Sequence, residues 1–255
     1  MTARGRFITF EGIDGSGKST QARRLYEALR AAGHEAVLTR EPGGSPGAEE
    51  IRRLVLEGDP DRWSAETEIL LFTAARRDHL ERTIEPALAA GKIVVCDRFA
   101  DSTRMYQGLS RGDLRALVDQ LHTLMIGREP DLTVLIDMDP QRALARSWER
   151  MAKSKAAQSA KAREMSKTGN VFAPGVAHEL ETEALELKGK ADSLHGDDGN
   201  EDRFESFGLP MQKKMRAGFL ALAEEFAPRF RVIDGARSEE EVARDVLATV
   251  ERALA

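Results

Sequence analysis

The sequence predicts an α/β fold, a doubly wound parallel sheet flanked by helices. Short apolar runs of strand length alternate with stretches whose apolar residues recur at helical spacing. The run from Lys92 to Cys96 is apolar without alternation, as a strand covered on both faces requires. A glycine-rich turn joins the first strand to the first helix, the arrangement that opens such folds. With 255 residues the chain suits one such domain with an elaboration.

The first strand is Phe7-Ile8-Thr9-Phe10, and Thr20 to Ala32 reads as a helix with Ala22, Leu25 and Leu29 on one side. Between them, Gly12 to Ser19 fits G-x-x-x-x-G-K-[ST] at every fixed position. Strand, glycine loop and helix let backbone N–H groups and a helix N-terminus surround a phosphate chain. Gly12, Gly15 and Gly17 permit backbone conformations that a side chain would forbid. Lys18 can reach the terminal phosphates, and the Ser19 hydroxyl can ligate Mg²⁺. Gly12, Asp14, Gly15, Ser16, Gly17, Lys18, Ser19 and Thr20 therefore mark a nucleoside triphosphate site.

His34 to Thr39 reads as a second strand, closed by the Pro42-Gly43-Gly44 turn, which must bend sharply or bring backbone close to something. Pro46 to Leu56 is a short helix. Glu66 to Ala89 is a long one, with Ile69, Phe72, Thr73, Arg76, Leu80, Ile84 and Leu88 along a single side. The strand 92–96 ends in Asp97-Arg98-Phe99. Asp113 can cap a helix carrying Leu114, Leu117, Val118, Leu121 and Leu124. Leu132 to Ile136 is a buried strand, and Asp139-Pro140 opens the next helix with a cap residue and a proline in first position. Phe204 to Phe226 is helical and Phe230 to Ile233 is a last strand. Ser238 with Glu241 forms a capping box before the terminal helix.

Hydrophobic residues make up 41% and charged residues 32%, which suggests a core plus one unusually polar segment. That segment runs from Trp148 to about Asn200. Between Arg142 and Lys167 there are eight basic and two acidic residues, and from Glu179 to Glu205 ten acidic and three basic. Few large apolar residues accompany them, so a solvated arm with little core of its own is expected. The formal charge of −5 argues against a nucleic-acid partner. A single cysteine, Cys96, excludes an intramolecular disulfide and a tetrathiolate zinc site, and its apolar neighbours predict a buried thiol. No stretch approaches membrane-spanning length and no apolar leader is visible, so a soluble cytoplasmic protein is expected.

In a doubly wound sheet, ligands gather outside the carboxyl ends of the strands. The first three strand ends supply the glycine loop, Arg40-Glu41-Pro42-Gly43-Gly44, and Asp97-Arg98. A carboxylate there can order Mg²⁺ or its water shell. Arginines can clamp a transferring phosphoryl group, whose charge is spread over its oxygens. Phe72 and Arg76 lie one above the other on their helix. Helical spacing alone would make Phe72 a core residue, but a buried arginine beside it needs an acceptor, which a carbonyl on a base can supply.

Taken in order, these segments resemble the thymidylate kinase family. The resemblance rests on Phe10-Glu11-Gly12, Thr39 to Gly44, Leu71 to Arg76, Asp97-Arg98-Phe99, Asp101-Ser102-Thr103, Tyr106-Gln107-Gly108, Pro130-Asp131-Leu132, Asp202 to Glu205, and Val232-Ile233-Asp234. It covers residues 6 to about 147 and 200 to 254. It implies a single P-loop nucleoside monophosphate kinase domain over 1–255, transferring the γ-phosphoryl group of ATP to dTMP with Mg²⁺. By that resemblance Phe72 stacks on thymine and Arg76 hydrogen-bonds it. Glu11, Arg40, Glu41, a cis Pro42, Ser102, Tyr106 and Gln107 surround dTMP. Arg98 bridges donor and acceptor phosphates, and Asp97 organises Mg²⁺ and the acceptor phosphate. Ala236 falls near the adenine, and family members are usually homodimers.

Two features depart from the family pattern. Gly15 stands where some members carry an arginine inside the glycine loop, and members without it supply basic residues from a lid after the fourth strand. Arg142, Arg146 and Arg150 open that region here, with Arg146 and Arg150 taken as catalytic. The lid is also long, with an insertion at about 148–200. Other readings are another deoxynucleotide or deoxynucleoside kinase of the same fold, or a nucleotide-driven ATPase using the charged segment to meet a partner.

Overall fold

The computed structural model describes residues 5–57, 62–109, 112–167, 176–195 and 208–254. These form two compact units: residues up to 13, 17–138 and from 214 onward make one, and residues 14–16 with 139–213 make the other.

The first unit holds the sheet. Strands β1 (Arg6–Glu11), β2 (Ala36–Arg40), β3 (Ile93–Asp97), β4 (Leu132–Asp137) and β5 (Phe230–Asp234) are all parallel in the order β2-β3-β1-β4-β5. After β3 the chain crosses β1 to reach β4, so strand order changes direction at β1 and opens a crevice outside its carboxyl end. Register brings the strand ends level: Asp97 lies beside Phe10 on one side and Arg40 on the other.

Alternate residues of β1 and β3 feed two cores, and β4 adds to the first. Ile8, Phe10, Ile93, Val95, Val134 and Ile136 pack with α1 (Lys18–Ala31) and α10 (Glu239–Leu254) through Leu25, Leu29, Val242 and Val246. Phe7, Val94 and Cys96 face the other way, against Leu80, Ile84, Leu88 and Phe99. The wholly buried Phe7, Phe10 and Phe99 each contribute on the order of 1.5–3 kcal/mol by leaving water. Ser238 and Glu241 make the expected reciprocal cap of α10, at 3.0 Å and 3.3 Å.

Helix α2 (Pro46–Leu56) has the expected bounds. The long helix from 66 to 89 is divided into α3 (Ala65–His79), a π-helical turn (Leu80–Ile84) and α4 (Glu85–Ala89). Pro86 has no N–H for the carbonyl four residues back, and the turn just before it widens. A short α5 (Ala100–Tyr106) follows β3. Asp113 does not cap α6 (Arg115–Leu121): the cap position is Leu114, and no side chain bonds there. Leu124 is 78% exposed, because a second π-helical turn (His122–Ile126) turns His122 and Ile126 inward instead.

In the second unit, α7 (Pro140–Lys167) begins at the predicted cap, with Asp139 Oδ1 accepting from the Arg142 N–H at 3.0 Å. It runs through the compositional break at Trp148 without interruption. Helix α8 (Val176–His195) returns antiparallel: Gln141 bonds the Leu194 carbonyl, Lys155 pairs with Glu183, and Arg163 with Glu181. The basic and acidic runs are thus two sides of one helical hairpin. Most of its lysines are exposed as expected, yet it is no bare arm, because Ala152, Ser159, Ala162, Ala184 and Ala191 are buried. Helix α9 (Leu209–Glu225) follows, and Phe204 and the Asp202–Glu205 motif lie outside the described residues. No helix among the described residues is long and apolar enough to cross a membrane.

Candidate active site

The glycine loop has the backbone its sequence demands. Gly12, Gly15 and Gly17 all have positive φ, at 140°, 87° and 97°. Gly17 opens α1 with no side-chain cap and no acid in the first turn, leaving the helix N-terminus open to an anion. Lys18 is buried and donates from Nζ to the Ile13 carbonyl at 3.2 Å. Ser19 and Thr20 are exposed, while Ser16 is buried with an Oγ that has no hydrogen-bond partner among the described residues.

At the end of β2 the Glu41–Pro42 bond is cis, as the family pattern implied. Glu41 is buried and both its oxygens are used: Arg76 Nε donates to Oε2 at 2.7 Å, and His79 Nδ1 stands 3.1 Å from Oε1. Arg76 Nη2 also donates to Thr103 Oγ1 at 2.9 Å, and its guanidinium lies 5.1 Å from the Phe99 ring centre. Thr103 stands in the Asp101-Ser102-Thr103 run of the sequence, where only Ser102 was expected to have a site role. Ser102 and Thr103 are adjacent hydroxyls, and only the helix's rotation decides which one meets Arg76. One turn earlier on α3, Phe72 is half-buried while Ile69 and Thr73 beside it are buried.

Beside the glycine loop, Glu11 is wholly buried. It accepts from the Phe99 N–H at 2.8 Å and from Ser102 Oγ at 2.6 Å. Burial first, then the nearby Asp101 carboxylate, push its carboxyl up to about 7 against the pull of Arg98. Its carboxyl therefore holds α5 by Phe99 and Ser102 instead of standing open at the surface. Arg98 sits at a φ of 69°, uncommon for a residue with a side chain. Its Nη1 donates to Ser102 Oγ at 2.8 Å, and its guanidinium lies 5.0 Å from the Tyr106 ring centre. Asp97 Oδ1 is buried and makes no hydrogen bond among the described residues. Gln107 is buried at the end of α5.

Arg40 is exposed and paired with Glu49 at 3.0 Å. Arg52, which sequence reasoning passed over, donates to the Pro42 carbonyl at 2.6 Å. Burial and then the Arg40 cation lower its basicity, with Glu49 and then Asp97 acting oppositely. The signal available was its helix, which starts two residues after the glycine turn and so returns a cation to it. Ala236 donates its N–H to Asp234 Oδ1 at 2.9 Å, just past β5. Arg142, Arg146 and Arg150 stand four apart and exposed along α7. Among the described residues no cluster of three or more His, Cys, Asp or Glu is placed to hold a metal.

A parallel sheet with an open glycine loop after β1, and arginines at the ends of the neighbouring strands β2 and β3, defines a P-loop phosphotransferase. The family described as "Thymidylate kinase" matches residues 10–175, more than half the chain. The thymidylate kinase of Ruegeria pomeroyi is 63% identical, covering 98% of this chain and 96% of its own. That of Dinoroseobacter shibae is 58% identical, covering 97% of each. The crystal structure of thymidylate kinase from Ehrlichia chaffeensis superimposes with a TM-score of 0.63 at 30% identity, covering 97% of this chain and 99% of that one. The chain belongs to the thymidylate kinase family.

Proposed function

We propose that the protein transfers the γ-phosphoryl group of ATP to dTMP, giving dTDP and ADP. The observation that carries the acceptor half is the buried Arg76, fixed by Glu41 and Thr103, with Nη1 uncommitted among the described residues. A fixed, partly desolvated guanidinium beside the half-buried Phe72 suits a pyrimidine carbonyl over a stacked ring. Ser102, Tyr106 and Gln107 line the rest of the nucleoside, Glu11 holding Ser102 in place. Arg40, Arg52 and Arg98 supply positive charge for the acceptor phosphate.

Phosphoryl transfer needs little covalent help from a protein, so positioning and charge dominate. Gly12 to Thr20 binds the triphosphate, with Lys18 on its terminal phosphates and the backbone near Ala236 against adenine. Asp97 Oδ1, without a hydrogen-bond partner among the described residues, and the exposed Ser19 fit a Mg²⁺ ion, which takes few protein ligands beside phosphate and water. When bound it would neutralise charge developing between the phosphates. Arg98 steers the acceptor phosphate toward the donor.

The remaining cation comes from α7, we infer, through Arg142, Arg146 or Arg150. Within the second unit, a Cβ on Gly15 would fall 1.8 Å from the Ala143 carbonyl oxygen, and φ there is 87°. Position 15 therefore has no room for an arginine. This supports the subgroup whose cation comes from the lid, on one kinase domain over 1–255 with a charged insertion at about 148–200. A homodimer is supported by exposed Leu70, Leu124 and Met125, with Arg77 of α3 bonded to the Met125 carbonyl. The net charge of −5 supports free nucleotides over nucleic acid as partners, and a cytoplasmic location goes with them.

The test is Lys18→Ala. It should keep the fold and lose ~10²-fold or more of dTMP-dependent ADP formation, the scale of one preorganised electrostatic donor. Near-normal turnover by a folded variant would refute this reading.

A further inference from the structure

We propose that His79 is a positioning residue for the thymine site, holding Glu41 so that Arg76 presents its outer N–H groups to the base. The inference rests on the reading above that Arg76 meets the base of dTMP.

The His79 ring is fully buried, and both nitrogens are engaged. Nδ1 lies 3.1 Å from Glu41 Oε1, and Nε2 lies 2.7 Å from Thr39 Oγ1. An ionised carboxylate only accepts, so Nδ1 carries the hydrogen. In the neutral ring Nε2 then accepts from the Thr39 hydroxyl, so the carboxylate sets the tautomer and the hydroxyl, able to donate or accept, follows it. His79 and Arg76 are three apart on α3 and reach the same carboxylate, one to each oxygen.

That division has a consequence for Arg76. A carboxylate with both oxygens free takes a guanidinium in a two-pronged pair and consumes two of its N–H groups. With Oε1 occupied by His79, Glu41 holds only Nε. Nη2 is left for Thr103 and Nη1 for an acceptor on a ligand.

The surroundings are shaped to the ring. Gly44 has a φ of 87°, and a Cβ there would lie 2.4 Å from both His79 Nε2 and Thr39 Oγ1. Its carbonyl accepts from Thr83 Oγ1 at 2.7 Å, and its N–H bonds Glu49 at 3.0 Å. The Pro-Gly-Gly turn is closed directly over the Thr39–His79 bond.

Steady-state kinetics on the full chain separate this role from plain packing. His79→Asn puts an amide N–H near the place of Nδ1 and can still hold Glu41. His79→Gln puts it near Nε2, keeps Thr39 and releases Glu41. His79→Ala and His79→Gln should raise the KM for dTMP roughly tenfold or more, leaving that for ATP within about twofold, since misplacement of about 1 Å is felt strongly. His79→Asn should restore most of the affinity. Should His79→Ala fail to fold, the two amides, equally disruptive to packing, still carry the comparison. Equal effects of Asn and Gln, a parallel rise in both KM values, or a lowered Tm with unchanged KM would each overturn the inference. Arg76→Lys is measured alongside. If it leaves the KM for dTMP unchanged, the thymine-site reading fails and this inference with it. If it raises that KM while His79→Gln does not, only the inference fails.

Discussion

Arg76 and Glu41 meet Nε to Oε2 at 2.7 Å with both side chains 4% exposed, although 35 residues separate them. They come from different elements, α3 and the end of β2. The pair fastens the helix that carries Phe72 to the strand end that carries the cis proline.

Breaking this pair from one side should be costly. Glu41→Gln leaves a buried guanidinium without its counter-charge, so unfolding free energy should drop by about 3–5 kcal/mol. The KM for dTMP should rise as well. Urea unfolding and dTMP titrations check both. Adding Arg76→Met to Glu41→Gln should recover much of the stability and none of the dTMP affinity.

Phe72→Ala should weaken dTMP alone. Base stacking on an aromatic ring is worth roughly 1–3 kcal/mol, so the KM for dTMP should rise while that for ATP stays level. Equal changes in both would return Phe72 to the core.

Glu11 gives a pH signature. Its carboxyl is raised from 4.5 to about 7 by burial and by Asp101. Between those values the folded protein holds a proton that the unfolded chain has released. The folded state then binds more protons, so stability falls as pH rises through that window. Relative to Glu11→Gln, the wild-type Tm should decline from pH 4.5 to about 7 and keep a constant offset above it. An offset independent of pH would mean Glu11 ionises normally in place.

On α7, alanine at whichever of Arg142, Arg146 and Arg150 serves the transferring phosphate should cost ~10³-fold or more in kcat. Gly15→Arg should not rescue it, because position 15 faces the Ala143 carbonyl. Rescue by Gly15→Arg would place the missing cation in the loop after all.

Much of this was legible in the sequence because the relevant signals are local. The glycine loop, the Ser238–Glu241 cap, Asp139-Pro140 and the five strands each depend on a few neighbouring residues. Phase was harder to read. Two π-helical turns each shift the helix pattern, and Leu124, which periodicity set in line with Leu117 and Leu121, is exposed. The pairing of the basic run with the acidic run was invisible for another reason. Each run alone looks solvated, and only their antiparallel contact buries Ala152, Ala162, Ala184 and Ala191 between them. In the site, residue types were readable but partners were not. Nothing local says that Thr103 rather than Ser102 meets Arg76, or that Gly44 makes room for His79.

Phosphate transfer to dTMP is tested most directly by a coupled assay with ATP, Mg²⁺ and each deoxynucleoside monophosphate in turn. ADP formation should depend on the acceptor, with kcat/KM for dTMP well above those for dCMP, dAMP and dGMP. ATP hydrolysis that proceeds alike with and without dTMP, or faster turnover of another monophosphate, would contradict it.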